Sequence, residues 1–159
     1  MNYFELFDLP ITFIIDKNEL SKKYIALQKK YHPDFYTKEN EMEQEEALNY
    51  SSQINKGLKV LRNPDETIRY VLQLKGVLEE DEKYALSPDF LMKMMELNED
   101  FGDGTEAKIE LIQSELYSEI APIIEQFDST STSEADLLKV KDYYFKKKYL
   151  QRILDRIDD

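Results

Sequence analysis

The chain has no cysteine, no tryptophan, one histidine, four glycines and five prolines among 159 residues. Each scarcity excludes something. Without cysteine there is no disulfide, no thiolate-held metal or cluster, and no thiol nucleophile. A single histidine would leave a zinc site to carboxylates, an uncommon donor set. So few glycines and prolines do not supply the turns of a loop-rich or all-β protein. No apolar stretch approaches the roughly 20 residues that cross a bilayer. Met1-Asn2-Tyr3-Phe4-Glu5 lacks a basic segment followed by an apolar run, so no secretory signal is expected, and the cytoplasm is the expected location. Positive charge is short as well. Lys and Arg number 21 against 33 Asp and Glu, a net charge of −12. Nucleic-acid binding is not expected, because phosphate contacts need clustered cations.

What is present is helical. Apolar residues make up 42% of the chain, enough for a core. A single globule of this length buries roughly 70% of its unfolded surface and two halves only about 60% each, so two lobes require compact helical units. Tyr3 to Leu9 reads as one or two helical turns closed by Pro10. Ile11 to Ile15 is β-branched but has no partner strand, and reads as an extended connection. Asp16 with Glu19 three residues on has the capping-box pattern, opening a helix to Tyr31. Leu20, Tyr24, Leu27 and Tyr31 share one side of it, and Lys22, Lys23, Lys29 and Lys30 the other. An acidic run, Glu39 to Glu46, starts a third helix, where negative charge favours the N-terminal dipole. Ala47, Tyr50, Ile54, Leu58 and Leu61 are its apolar positions. Asn63-Pro64-Asp65-Glu66 starts a fourth helix, with Ile68, Val71, Leu72 and Leu74, and Lys75-Gly76 stops it.

The acidic stretch Gly76 to Leu86 marks a boundary. Beyond it Ser87-Pro88-Asp89 opens a fifth helix to Phe101, with Phe90, Met94, Leu97 and Phe101 as the core face. Thr105 caps a sixth helix that carries Pro122, where a kink is expected. Ser133 or Thr132 caps the seventh, with Leu137, Leu138, Val140, Tyr144, Phe145, Leu150 and Ile153 among its apolar positions. Three helices with short links form an antiparallel bundle.

The one histidine stands in Tyr31-His32-Pro33-Asp34. A proline crowds the residue before it out of the α region, so the helix should end at His32. His32 near Asp34 invites a general-base reading. Against it, Pro33 separates the two, no cysteine nucleophile exists, and there is no Gly-rich phosphate loop and no paired-histidine metal motif. No catalysis by this chain and no cofactor are expected. The basic helix leading into His32 is either a solvated face or a docking face.

A lysine-rich amphipathic helix, then His32-Pro33-Asp34, then a helix ending Ile54-Asn55-Lys56-Gly57-Leu58-Lys59-Val60-Leu61, resembles a J-domain of the DnaJ family. The opening Tyr3-Phe4-Glu5-Leu6-Phe7 is similar to the J-domain start. The resemblance implies docking on a DnaK-type chaperone ATPase through His32, Pro33 and Asp34, with Lys22, Lys23, Lys29 and Lys30 steering the approach.

The second half narrows the resemblance. Asp89 to Glu99, Asp89-Phe90-Leu91-Met92-Lys93-Met94-Met95-Glu96-Leu97-Asn98-Glu99, is similar to a segment of HscB-type iron–sulfur cluster co-chaperones, and so are Tyr70-Val71-Leu72 and Lys148-Tyr149-Leu150-Gln151-Arg152-Ile153. The likeness covers essentially the whole chain. It implies an all-α, L-shaped molecule: a J-domain over 1–75, a helical hairpin with the His-Pro-Asp loop; a linker over 76–87; and a C-terminal three-helix domain over 88–159. It also implies an IscU-type scaffold partner bound through Leu91, Met92, Met95, Glu96 and Glu99, with Tyr149 from the last helix. At 100° per residue the five lie within an arc of about 140°, away from Phe90, Met94 and Leu97. Met95 replaces a usual leucine, Asn98 a common arginine, and Tyr149 a frequent phenylalanine. The cysteine-rich extension of eukaryotic members is missing, so no zinc is implied. The residues alone leave open a J-domain protein with another client, an acidic helical adaptor, and packing of the Leu91-Met92-Met95 face on the rest of the chain.

Overall fold

A computed structural model describes residues 1–32, 34 and 41–157. Pro33 and Glu39 lie outside the described residues. Seven α-helices make up the described chain: α1 Tyr3–Leu6, α2 Lys17–Tyr31, α3 Glu41–Leu61, α4 Pro64–Leu74, α5 Pro88–Glu99, α6 Thr105–Glu125 and α7 Glu134–Ile157. No strand occurs among the described residues, and Ile11–Ile15 is an irregular connection that buries Phe13.

The chain divides into two compact units, Met1–Val71 and Leu72–Asp159. The division falls inside α4, ahead of the acidic stretch at Gly76–Leu86. Helix starts follow local chemistry. The Asp16 carboxylate accepts from the Asn18 and Glu19 amides at the head of α2, and Asn63 accepts from Asp65 and Glu66 at the head of α4. These bonds satisfy amides that a helix start leaves without partners. At the other end of α4 the Gly76 amide donates to Gln73 and the Val77 amide to Leu72. That pairing requires a left-handed residue, and Gly76 has φ +76°.

In the first unit α2 packs on α3, and α1 packs on α3. Phe4, Phe7, Leu20, Ile54 and Leu61 are fully buried there. Tyr3 stacks on Tyr70 at 4.8 Å, and its amide donates to the Tyr70 hydroxyl. The approach of α1 to α3 is set by Gly57. A Cβ there would lie 2.8 Å from a Phe7 ring carbon and 3.0 Å from Tyr3.

In the second unit Phe90, Met94 and Leu97 of α5 cluster with Ile109 of α6 and with Leu150 and Ile153 of α7. Several details differ from the sequence reading. Helix α5 stops at Glu99, and Phe101, assigned to its core face, is 52% exposed because the chain has left the helix. Gly104, with φ +88°, is the N-cap of α6, and Thr105 is its first residue. Thr105 is buried, and its hydroxyl accepts from the Gly102 amide. Leu74 and Leu138 face solvent, whereas Tyr143 is buried. Helix α6 continues through Pro122. Between α6 and α7 the Asp128 carboxylate accepts from the Thr130 hydroxyl at 2.6 Å and from the Thr130 and Ser131 amides. The Thr130 hydroxyl, then these amides, pull the Asp128 carboxyl down to about 2.

Two predictions follow from these contacts. Alanine at Gly57 gains about 1 kcal/mol of helix propensity, but overpacking against a buried ring costs about 1–3 kcal/mol. Phe7 is 1% exposed and has nowhere to go. Gly57→Ala should therefore lower the urea-unfolding free energy by about 1 kcal/mol, and a gain would show that α1 can move aside. Because the folded pKa of Asp128 is depressed, its stabilisation is present above the unfolded value of 3.8 and is lost as pH falls towards about 2. The Tm deficit of Asp128→Ala should shrink across that window, and a deficit constant with pH would contradict this account.

Candidate functional site

The first candidate surface is built at the end of α2. His32 has φ −62° and ψ 129°, outside the helical region, while its amide still donates to the Gln28 carbonyl at 2.9 Å. The helix thus stops at the residue before Pro33, as the pre-proline restriction dictates. The Asp34 amide donates to His32 Nδ1 at 3.3 Å, and an Asp34 carboxylate oxygen lies 3.5 Å from the same nitrogen. Both side chains face solvent, His32 at 46% and Asp34 at 85%.

Helix α3 holds this end in place. The Tyr31 ring stacks on Tyr50 at 4.6 Å. Asn55 Oδ1 accepts from the Tyr24 hydroxyl at 2.9 Å and from Gln28 Nε2 at 3.0 Å. Asn55 and Tyr50 were not singled out as supports from sequence. Tyr24 and Gln28, four residues apart on the inner side of α2, were the available signal.

The four lysines of α2 are not equivalent. Lys22 and Lys29 are exposed. Lys30 is exposed and its ammonium lies 5.2 Å from the Tyr31 ring centroid. Lys23 is turned inward: it donates to the Asp8 carbonyl and lies 3.6 Å from Glu19. Its ammonium ties the end of α1 to α2, which reduces the charge it presents outward.

The second surface is on α5. Leu91 is 38% exposed, Met92 61% and Met95 62%, and Glu96 and Glu99 are exposed beside them. The five lie together opposite Phe90, Met94 and Leu97, so the apolar face is open to solvent and not used for packing. Tyr149 differs from them. It is half-buried, packed against the α5–α6–α7 core, with its ring edge on Phe90 at 6.0 Å.

Matches to known proteins extend over both halves of the chain. The family model of the HSCB C-terminal oligomerisation domain matches residues 86–158. A co-chaperone protein HscB homolog of Colwellia psychrerythraea is 33% identical over the whole chain, covering 97% of that relative. One from Vibrio cholerae is 41% identical over 106 residues, a match spanning 66% of this chain and 62% of that protein. The crystal structure of human co-chaperone protein HscB superposes with a TM-score of 0.80 at 26% identity, over 99% of this chain and 81% of the human one. An all-α chain that matches an HscB homolog at 33% identity over its whole length belongs to the HscB co-chaperone family.

Proposed function

We propose that this chain is a cytoplasmic co-chaperone that stimulates the ATPase of a DnaK- or HscA-type chaperone and delivers an IscU-type iron–sulfur scaffold to it. Residues 1–75 act as the J-domain and 88–159 as the scaffold-binding domain, joined by 76–87. The observation that carries this reading is the open Leu91-Met92-Met95 face. A helix that already buries Phe90, Met94 and Leu97 has no structural need of a second apolar face, and flexible methionines beside carboxylates suit a partner surface.

The chemistry belongs to the partners. His32, Pro33 and Asp34 dock on the chaperone, where the Asp34 carboxylate offers a charge-assisted acceptor to an arginine or lysine. Lys22, Lys29 and Lys30 steer the encounter, with Lys23 contributing less. Docking favours the hydrolysis-competent state of the chaperone, whose own site cleaves ATP. The cluster travels as cargo on the scaffold. Leu91, Met92 and Met95 pack on the scaffold, Glu96 and Glu99 border that contact, and Tyr149 supports it from α7.

Single-turnover ATP hydrolysis by the cognate chaperone should accelerate when the protein is added. His32→Gln should abolish the acceleration without changing the circular dichroism spectrum, because His32 lies outside the core. Undiminished stimulation by that variant would remove the docking role of His32. Met92→Ala and Met95→Ala should each weaken scaffold binding about tenfold, or about 1.4 kcal/mol, the scale of burying a methionine side chain. Chaperone stimulation without scaffold should not change. Calorimetric titration measures this, and equal affinities for wild type and variants would remove the α5 face from the scaffold site.

A further inference from the structure

We propose that a small cationic cavity between residues 82–86 and α7 receives a carboxylate side chain of the scaffold, as a second contact beyond the α5 face. The proposal rests on the scaffold-binding reading above.

The cavity is about 220 Å³. This is below the roughly 300 Å³ at which small-molecule pockets begin, so a single side chain suits it better than a cofactor. Its apolar wall is the Tyr84 ring stacked on Phe145 at 4.5 Å, together with Leu86. Tyr149 also lines it, which makes the cavity continuous with the residue that α7 contributes to the proposed scaffold surface. Lys83, Lys148 and Arg152 complete the lining.

The charge balance decides what the cavity can accept. Its one acidic lining residue, Glu82, is bridged by Lys141 at 2.7 Å, both well shielded from solvent. Nearby Asp142 accepts from the Tyr84 hydroxyl at 2.7 Å and pairs with Lys146 at 2.6 Å. These two carboxylates are therefore already engaged. Lys83, Lys148 and Arg152 form no ion pair with any described residue. Three such cations around an apolar wall stand out in a chain of net charge −12. An incoming carboxylate would meet three cations that no described carboxylate bridges, and could form paired hydrogen bonds with the Arg152 guanidinium. The scaffold would then need an acidic residue beside the surface that meets Leu91, Met92 and Met95. Opposite charges placed on either side of an apolar patch fix the orientation of docking.

The test is calorimetric titration of a purified IscU-type scaffold against wild type, Lys148→Glu, Arg152→Glu, Arg152→Gln and Lys108→Glu. Lys108 is an exposed residue of α6 outside the cavity, so its reversal controls for net charge. At low salt, Lys148→Glu and Arg152→Glu should each weaken binding at least tenfold and Arg152→Gln about threefold, with Lys108→Glu near wild type. The gap should narrow in 0.5 M salt, where the screening length falls to a few ångströms. Chaperone stimulation without scaffold should be unchanged throughout, and a wild-type circular dichroism spectrum and Tm in each variant show that the second unit stays folded. Wild-type affinity in the cavity variants, or an equal loss in Lys108→Glu, would overturn the carboxylate contact and leave the α5 face standing. Failure of wild type to bind the scaffold would overturn both.

Discussion

The second unit depends on one stripe of side chains, Phe90, Met94 and Leu97, buried against Ile109, Leu150 and Ile153. A helix has only so much circumference. Once that stripe is committed to the core, Leu91, Met92 and Met95 must point away from it. The rotation of α5 is fixed by its buried side, and the exposed side inherits that precision. The Ser87 cap, which accepts from the Phe90 amide, sets where the stripe begins. The proposed scaffold surface is thus a consequence of core packing and needs no extra scaffolding of its own.

The first unit works by the same constraint at a helix end. Leu20 is buried, and Tyr24, Leu27 and Tyr31 turn inward with it, leaving Lys22, Lys29 and Lys30 outside. Stacking of Tyr31 on Tyr50 and the two hydrogen bonds to Asn55 hold the last two turns of α2 against α3. His32 and Asp34 are therefore presented from a braced position although they contribute nothing to the core.

Local signals were the most legible part of the sequence. The caps at Asp16, Asn63 and Ser133, the stop at Gly76 and the stop before Pro33 depend on neighbours within a few residues, and each of them stands where its chemistry places it. Positions that depend on distant partners were less legible. Phe101 has the spacing of a core residue, but α5 ends before it. Leu138 is as apolar as Leu137, yet only one of them faces inward. Thr105 could cap a helix, and Gly104 takes that place because a left-handed residue turns the chain there.

The sequence by itself determined that the chain is helical, that α2 ends at a histidine before a proline, and that α5 carries two apolar faces. Periodicity and capping are short-range properties, so one strand of text contains them. Only the tertiary structure decided which of those faces is open. It also decided that Lys23 is spent on Asp8 and Glu19, that Asn55 anchors the last two turns of α2, and that Lys83, Lys148 and Arg152 meet around one cavity. These facts join residues far apart in the chain, and nothing in local spacing encodes which side chain will reach which neighbour until the helices have packed.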